Sequence, residues 1–244
     1  MRGLLFTATA ALILSAGCGG KAEEKPKEAC PPPPPPPPAV AEKEANPEAA
    51  DFRELPAVSC EGGLPLAEAI AARRSTRTYG SRKLTDAEVG QLLWAGQGIT
   101  SARGLRTAPS AGALYPMFLY YADDVALWRY EPKRHGLAKV VDGDVRRDLA
   151  RAGLDQAPLK RAPGIIIVVA KPAISAVKYR ERAERYCTIE AGHIGQNILL
   201  TAEALGLGAC PMGAFRDGDV LDVLGLGNDY LPLYLIPVGE AFEP

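Results

Sequence analysis

Gly164-Ile165-Ile166-Ile167-Val168-Val169-Ala170 sets five β-branched residues in succession with no polar side chain among them. Such residues crowd a helix and fit a pleated strand, and the lack of in/out alternation predicts a strand buried on both faces. The chain therefore contains a sheet covered on two sides. Working outward, Met117 to Tyr121, Leu127 to Glu131 and Leu137 to Val141 read as short strands. The last two form a hairpin turning at Lys133-Arg134-His135-Gly136. Leu231 to Val238 is a final strand interrupted by Pro232 and Pro237. Helical patterns stand between these runs. Leu64 to Arg74 is one; a second opens on the capping-box signature Thr85-Asp86-Ala87-Glu88 and carries Val89, Leu92, Leu93 and Gly96 to about Gln97. Tyr179 to Leu205 is a long helical segment closed by Gly206, its Ala191, Gly192 and Gly195 suited to close packing within a domain or a dimer. Leu207 to Met212 leads to a turn, and Asp217 to Leu224 is a short helix. Strands and helices mix without strict alternation, so the fold class is α+β and not a doubly wound sheet.

The first 57 residues read differently. Met1-Arg2-Gly3 precedes an uncharged run from Leu4 to Gly17, of signal-peptide length and short of the roughly 20 apolar residues that a membrane span needs. Ser15-Ala16-Gly17-Cys18 resembles the lipobox of bacterial lipoproteins, which implies that residues 1–17 are removed and that Cys18 is lipidated, anchoring the chain to a membrane. Residues 18–57 are mostly Lys, Glu, Ala and Pro, with eight consecutive prolines from Pro31 to Pro38. That composition predicts a disordered tether; at about 3.1 Å per residue the octaproline alone spans roughly 25 Å. The expected location is the cell envelope, on the periplasmic or extracytoplasmic face, and the folded domain is expected over residues 58–244.

Formal net charge is −1, which gives no general argument for a nucleic-acid partner. Cys18, Cys30, Cys60, Cys187 and Cys210 have neither zinc-finger nor Cys-x-x-Cys spacing, so at most one structural disulfide is expected beyond the lipidated cysteine. Glu190 and His193 have Glu-x-x-His spacing, but only one other histidine, His135, exists to complete a second half-site. No metal site is expected, and His193 reads as a satisfied core residue.

Arg73-Arg74-Ser75-Thr76-Arg77-Thr78-Tyr79 gathers three guanidinium groups and three Ser and Thr hydroxyls suited to a phosphate at the end of the first helix. With this segment, three more in fixed order resemble the nitroreductase family of FMN enzymes. They are Arg106-Thr107-Ala108-Pro109-Ser110-Ala111-Gly112-Ala113-Leu114-Tyr115-Pro116; Lys178-Tyr179 with Glu190-Ala191-Gly192-His193-Ile194-Gly195-Gln196-Asn197; and Gly206-Leu207-Gly208-Ala209-Cys210-Pro211-Met212-Gly213. The likeness is greatest to the peptide thiazoline and oxazoline dehydrogenases, the SagB type, and spans about residues 64–239.

The resemblance implies a central, mainly antiparallel sheet flanked by helices, a long helix at a homodimer interface, and two FMN molecules bound between subunits. Carried over by position, Arg73, Arg74 and Ser75 would hold the FMN phosphate, and Arg77 would approach the ribityl chain or the pyrimidine edge. Pro109, Ser110 and Ala111 would line the flavin ring from the partner subunit with Arg106 close by, and Met212 and Gly213 would present backbone groups near flavin N5. Lys178 and Tyr179 would be catalytic, acting in proton removal. The acidic ending Gly239-Glu240-Ala241-Phe242-Glu243-Pro244 departs from the basic terminus of many members, which leaves the phosphate to Arg73, Arg74 and Ser75, with Arg216 as a further cation. The implied activity is hydride transfer between flavin and a small-molecule or peptide substrate, with a separate electron partner. Two other readings stand beside it: a flavin-free periplasmic scaffold, and a peptide azoline dehydrogenase.

Overall fold

The computed structural model describes residues 51–61 and 63–242. The expected signal segment, Cys18, Cys30 and nearly all of the expected tether lie outside the described residues. The elements are β1 (Phe52–Glu54), α1 (Leu66–Ala72), α2 (Asp86–Gln97), β2 (Met117–Ala122), β3 (Ala126–Glu131), β4 (Gly136–Asp142), α3 (Arg146–Ala152), α4 (Ala157–Arg161), β5 (Gly164–Ala170), α5 (Pro172–Tyr179), α6 (Ala183–Ala204), β6 (Leu207–Ala209), α7 (Asp217–Leu224) and β7 (Leu231–Glu240).

Seven strands form one sheet in the order β1-β4-β3-β2-β5-β7-β6, with every neighbouring pair antiparallel. Among the described residues, parallel pairing is confined to an isolated bridge, Ser75 to Ala209. β5 lies inside the sheet between β2 and β7 with all seven residues buried, as its sequence requires. Ile166 and Val168 point into the core under α2 and α6; Ile165, Ile167 and Val169 point into the opposite core with Leu149, Leu159, Val220 and Leu224 from α3, α4 and α7. Burying each such side chain contributes on the order of 1.5–3 kcal/mol, so this strand ties both layers together. Gly96 of α2 brings that helix so near that an added Cβ would stand 2.9 Å from Leu119 and 3.2 Å from Ile194 of α6.

Both prolines of β7 sit where the ladder makes no demand on them. Pro232 falls at the register shift against Val168 and Val169, and β6 pairs only with residues from Val238 onward. The Thr85 capping box forms in full at the start of α2.

Four readings of the sequence change. Phe52–Glu54, inside the stretch read as tether, pairs with Gly136 to Ala138 and extends the sheet by one strand. The first helix is shorter than its apolar pattern: Pro65 caps it and Arg73 is already extended. The long helix begins at Ala183 and not at Tyr179, because Arg180 adopts φ 48°, ψ −124° and Arg180–Arg182 form a single 3₁₀ turn. Lys178 and Tyr179 therefore end α5. His193 is exposed and so is no core histidine. Cys187 and Cys210 are free and buried, and Cys60 is disulfide-bonded.

Candidate functional site

Two groups of polar residues hold the sequence candidates. The first begins where α1 ends. Arg74 Nη1 donates to the carbonyls of Ala71 and Arg73 at 3.0 and 2.8 Å, capping the last turn where the helix dipole favours a cation. The chain then runs beside β6: Ser75 bridges Ala209, and Thr76 N–H donates to Ala209 O at 3.0 Å. Only glycine permits this approach. A Cβ on Gly208 would lie 2.5 Å from Thr76 Cγ2 and 2.7 Å from its Cβ. The buried Tyr79 hydroxyl, 2.6 Å from Thr76 O and 3.2 Å from Pro237 O, fixes the far end of the segment, and burial raises its pKa. Arg73 and Ser75 are half-buried, while Arg74 and Arg77 face solvent. Past β6, Met212 exchanges both backbone bonds with Leu235, at 2.9 and 3.0 Å, and the next residue, Gly213, is exposed. Met212's backbone groups are thus committed to the sheet, leaving Gly213 as the position of the pair open to a ligand.

The second group is built on the 98–116 loop. Gly98 packs against the Trp94 ring so closely that no side chain fits, and Thr107 returns to the same place, its N–H donating to Gly98 O and its hydroxyl to Trp94 O, both at 2.9 Å. Asn197 of α6 donates to Ala95 O at 3.0 Å and to Thr107 O at 3.4 Å, holding helix and loop together. Within the loop, the Arg106 guanidinium bonds Gln97 Oε1 and stacks 4.9 Å over the Tyr115 ring. Tyr115 N–H donates to Ser110 Oγ at 2.9 Å. The chain reverses at Gly112, Ala113 and Tyr115, with φ of 62°, 54° and 50°. Pro109 is exposed, and Ser110 and Ala111 are half-buried beside it.

Lys178 and Tyr179 reach this loop from α5. A Cβ on Gly112 would lie 2.9 Å from Tyr179 Oη and 3.1 Å from Lys178 Nζ. The Tyr179 ring packs edge-on against Tyr186 at 4.7 Å, and Lys178 Nζ lies 5.5 Å over the Tyr179 ring. The structure thus brings Arg106, Pro109, Ser110, Ala111, Lys178 and Tyr179 into one neighbourhood. Among the described residues, no hydrogen bond or ion pair joins them to the Arg73–Arg77 segment of the same chain.

Two residues not singled out for this neighbourhood stand at its base. Glu190 of α6 is 2% exposed and Gln97 of α2 is 1% exposed. Burial pushes the Glu190 carboxyl up to about 7, against the opposing pull of Ser110, Arg106 and Gln97. Glu190 Oε1 and Gln97 Nε2 each have no hydrogen-bond partner. Burial likewise lowers the pKa of Arg106, and the charge of Glu190 is the largest influence restoring it. The signal was available: a carboxylate inside the apolar stripe of a long helix is costly unless something faces it. Among the described residues no cluster of His, Cys, Asp and Glu could hold a metal ion, and no helix is long and apolar enough to cross a membrane.

Known proteins share this arrangement. The sequence profile described as "Nitroreductase family" matches residues 70–240. A nitroreductase-family protein of Methanocaldococcus jannaschii is 38% identical over 186 residues, covering 74% of this chain and 93% of its own. A nitroreductase-family crystal structure from Ralstonia eutropha JMP134 superposes with TM-score 0.73 at 27% identity, covering 87% of this chain and 95% of that one. The Escherichia coli microcin synthetase McbBCD complex with truncated pro-MccB17 bound has the same fold, with TM-score 0.61, 21% identity and 77% of each chain covered. With the profile spanning six of the seven strands, both polar groups and the long helix, the chain belongs to the nitroreductase family and is an oxidoreductase by that membership.

Proposed function

We propose that the chain is an FMN-dependent oxidoreductase that moves hydride between a small-molecule or peptide substrate and the flavin, working as a homodimer with two composite sites. One observation carries this reading. The Arg73–Arg77 segment, with its three guanidinium groups and two hydroxyls, is fixed against the sheet by the Ser75–Ala209 bridge, and that donor set matches a phosphate monoester. Arg73, Arg74 and Ser75 would hold the FMN phosphate, Arg77 would face the ribityl chain or pyrimidine edge, and Gly213 would border the ring. When bound, FMN supplies a ring that exchanges hydride at N5. Arg106, Pro109, Ser110 and Ala111 would shield that ring from water.

Within the described residues of one chain no hydrogen bond or ion pair joins the two polar groups, which favours a site shared by two subunits. So does the apolar surface of Leu66, Ile70 and Ile189, which are 67%, 55% and 47% exposed on α1 and α6. Gly192, whose Cβ would meet nothing within 4 Å, leaves room there for a second copy.

The test is flavin uptake by the full chain. The wild type should take up added FMN and turn yellow, and Arg73→Ala with Arg74→Ala should weaken binding about tenfold or more. A colourless wild type, or unchanged affinity in the double variant, would overturn the assignment and favour a flavin-free scaffold.

A second reading rests on Lys178 and Tyr179 at Gly112. Removing hydride from a ring C–H also requires a base, and this pair supplies an amine and a phenol at one point of the loop, as a peptide azoline dehydrogenase requires. The McbBCD complex, whose described form holds a truncated pro-peptide, shares the fold and agrees with a peptide substrate.

We also propose that Cys18 is lipidated and that the domain stands on the outer face of a bacterial membrane. NAD(P)H is not normally available there, which favours electron delivery to another acceptor. Radiolabelled palmitate incorporation in wild type and its loss in Cys18→Ser would test the anchor.

A further inference from the structure

Glu190 lies under the loop that the proposed function sets against the flavin, yet that function gives it no task. Its carboxyl is enclosed by groups from several elements. Arg106 and Ser110 face it from the loop and Gln97 from α2, while Tyr115 of the loop and Tyr130 and Glu131 of β3 act on it through Arg106. On its own helix Cys187 stands one turn before it, and the exposed His193 one turn after. Arg106 is divided between two acceptors: it is bonded to Gln97 Oε1, while Glu190 Oε1, the stronger acceptor, remains unpartnered. Gln97 Nε2, a donor, is also unpartnered. A buried donor and a buried acceptor left unmatched in one cluster mean that a second hydrogen-bond arrangement is open to it.

We propose that Glu190 is a positioning residue whose carboxyl, by holding or releasing Arg106 and Ser110, sets the shape of the 106–115 loop according to its protonation state. Ionised, it draws the Arg106 guanidinium from Gln97 and accepts from the Ser110 hydroxyl. Ser110 also anchors Tyr115 N–H, and Tyr115 stacks under Arg106, so the change is transmitted to the loop's return strand. Protonated, it frees Arg106 to remain on Gln97, the arrangement the structure shows. The raised carboxyl, at about 7, puts this exchange within the neutral range.

The experiment uses the full chain without flavin. Trp94, whose carbonyl holds Thr107 at the base of the loop, is one of two tryptophans; Trp128→Phe leaves it as sole reporter. Its emission should titrate with a midpoint near 7. The transition should survive His135→Asn and His193→Gln, which remove the two histidines of the chain, and vanish in Glu190→Gln. Ser110→Ala, which removes a group favouring the ionised form, should raise the midpoint by about half a unit or more. The proposal is overturned by no transition, by one that follows a histidine or persists in Glu190→Gln, or by a midpoint indifferent to Ser110→Ala. If Glu190→Gln does not fold, the Ser110 arm decides. In a second arm, FMN affinity one unit below and above the midpoint should differ in wild type and not in Glu190→Gln. A protein that never binds FMN would sink the proposed function, while the tryptophan transition would still judge this one.

Discussion

The Arg106 guanidinium lies 4.9 Å over the ring of Tyr115, and the Tyr115 hydroxyl accepts a hydrogen bond from the Arg106 backbone N–H at 3.1 Å, so the two residues close the loop between them. Each contact can be removed separately. Tyr115→Phe keeps the ring and loses the acceptor, leaving a half-buried N–H unbonded, and should cost about 1 kcal/mol. Tyr115→Ala also removes the ring and should cost roughly 1 kcal/mol more. Denaturant unfolding of both variants checks the order; equal losses would show that the ring contributes nothing.

The contact of Gly208 with Thr76 gives a second test. Adding a methyl at Gly208 forces Thr76 away from β6 and should destabilise the protein by about 1–3 kcal/mol. Because Thr76 carries the segment that presents Ser75 and Arg77, FMN affinity should fall with it. Gly213→Ala, where the new methyl meets nothing within 4 Å, should leave stability within about 0.5 kcal/mol. Thermal unfolding and flavin titration of the two variants make the comparison, and equal behaviour would argue against a steric role for Gly208.

The sequence announces what depends on unbroken local pattern. Gly164–Ala170 declares a strand buried on two faces, and Thr85 with Glu88 declares a helix start, since in each the signal and the structure rest on the same adjacent residues. α3 was hidden because Arg146, Arg147, Asp148 and Arg151 leave it only Leu149, Ala150 and Ala152 to bury. β1 was hidden because three residues, one of them Arg53, carry no period; the strand exists through its partner, β4. The break before α6 depends on the left-handed φ of Arg180, a conformation no side chain there announces. In the candidate site, the Arg73–Tyr79 hydroxyls and guanidiniums were legible as a cluster because they are adjacent in sequence. The Gln97–Arg106–Glu190 cluster was not, since its members lie on three elements and meet only through tertiary packing.

Glu190 also makes stability depend on pH with a definite sign. Its folded value, about 7, stands above the ordinary 4.5, so the folded state holds the proton more tightly. Stability should therefore fall as pH rises from about 4.5 to about 7 and then level off, by at most 1.4 kcal/mol per unit and roughly 3 kcal/mol in all. Glu190→Gln should flatten this slope and be the more stable protein on the alkaline side. His135 works oppositely. Burial lowers its pKa, so its contribution is complete above 6.5 and is lost as pH falls below that. Urea unfolding across pH in wild type, Glu190→Gln and His135→Asn separates the two; an unchanged slope in Glu190→Gln would remove the carboxyl from consideration.

Gly112 is where the loop and the Lys178–Tyr179 pair meet, and it distinguishes a seated pair from a bystander. At φ 62° an alanine costs about 1–2 kcal/mol, a cost this turn already bears at Ala113 and Tyr115. The larger effect is local. The new methyl would stand 2.9 Å from Tyr179 Oη and 3.1 Å from Lys178 Nζ, so both side-chain ends must move away from the loop. Gly112→Ala should thus fold and retain FMN uptake while losing turnover of a thiazoline-containing model peptide by about tenfold or more, as expected when a general base is displaced by about 1 Å. Tyr179→Phe should lose turnover similarly with no change in flavin content. Full turnover in both variants would leave the pair as packing between α5 and the loop, and the base for C–H removal would have to be sought elsewhere.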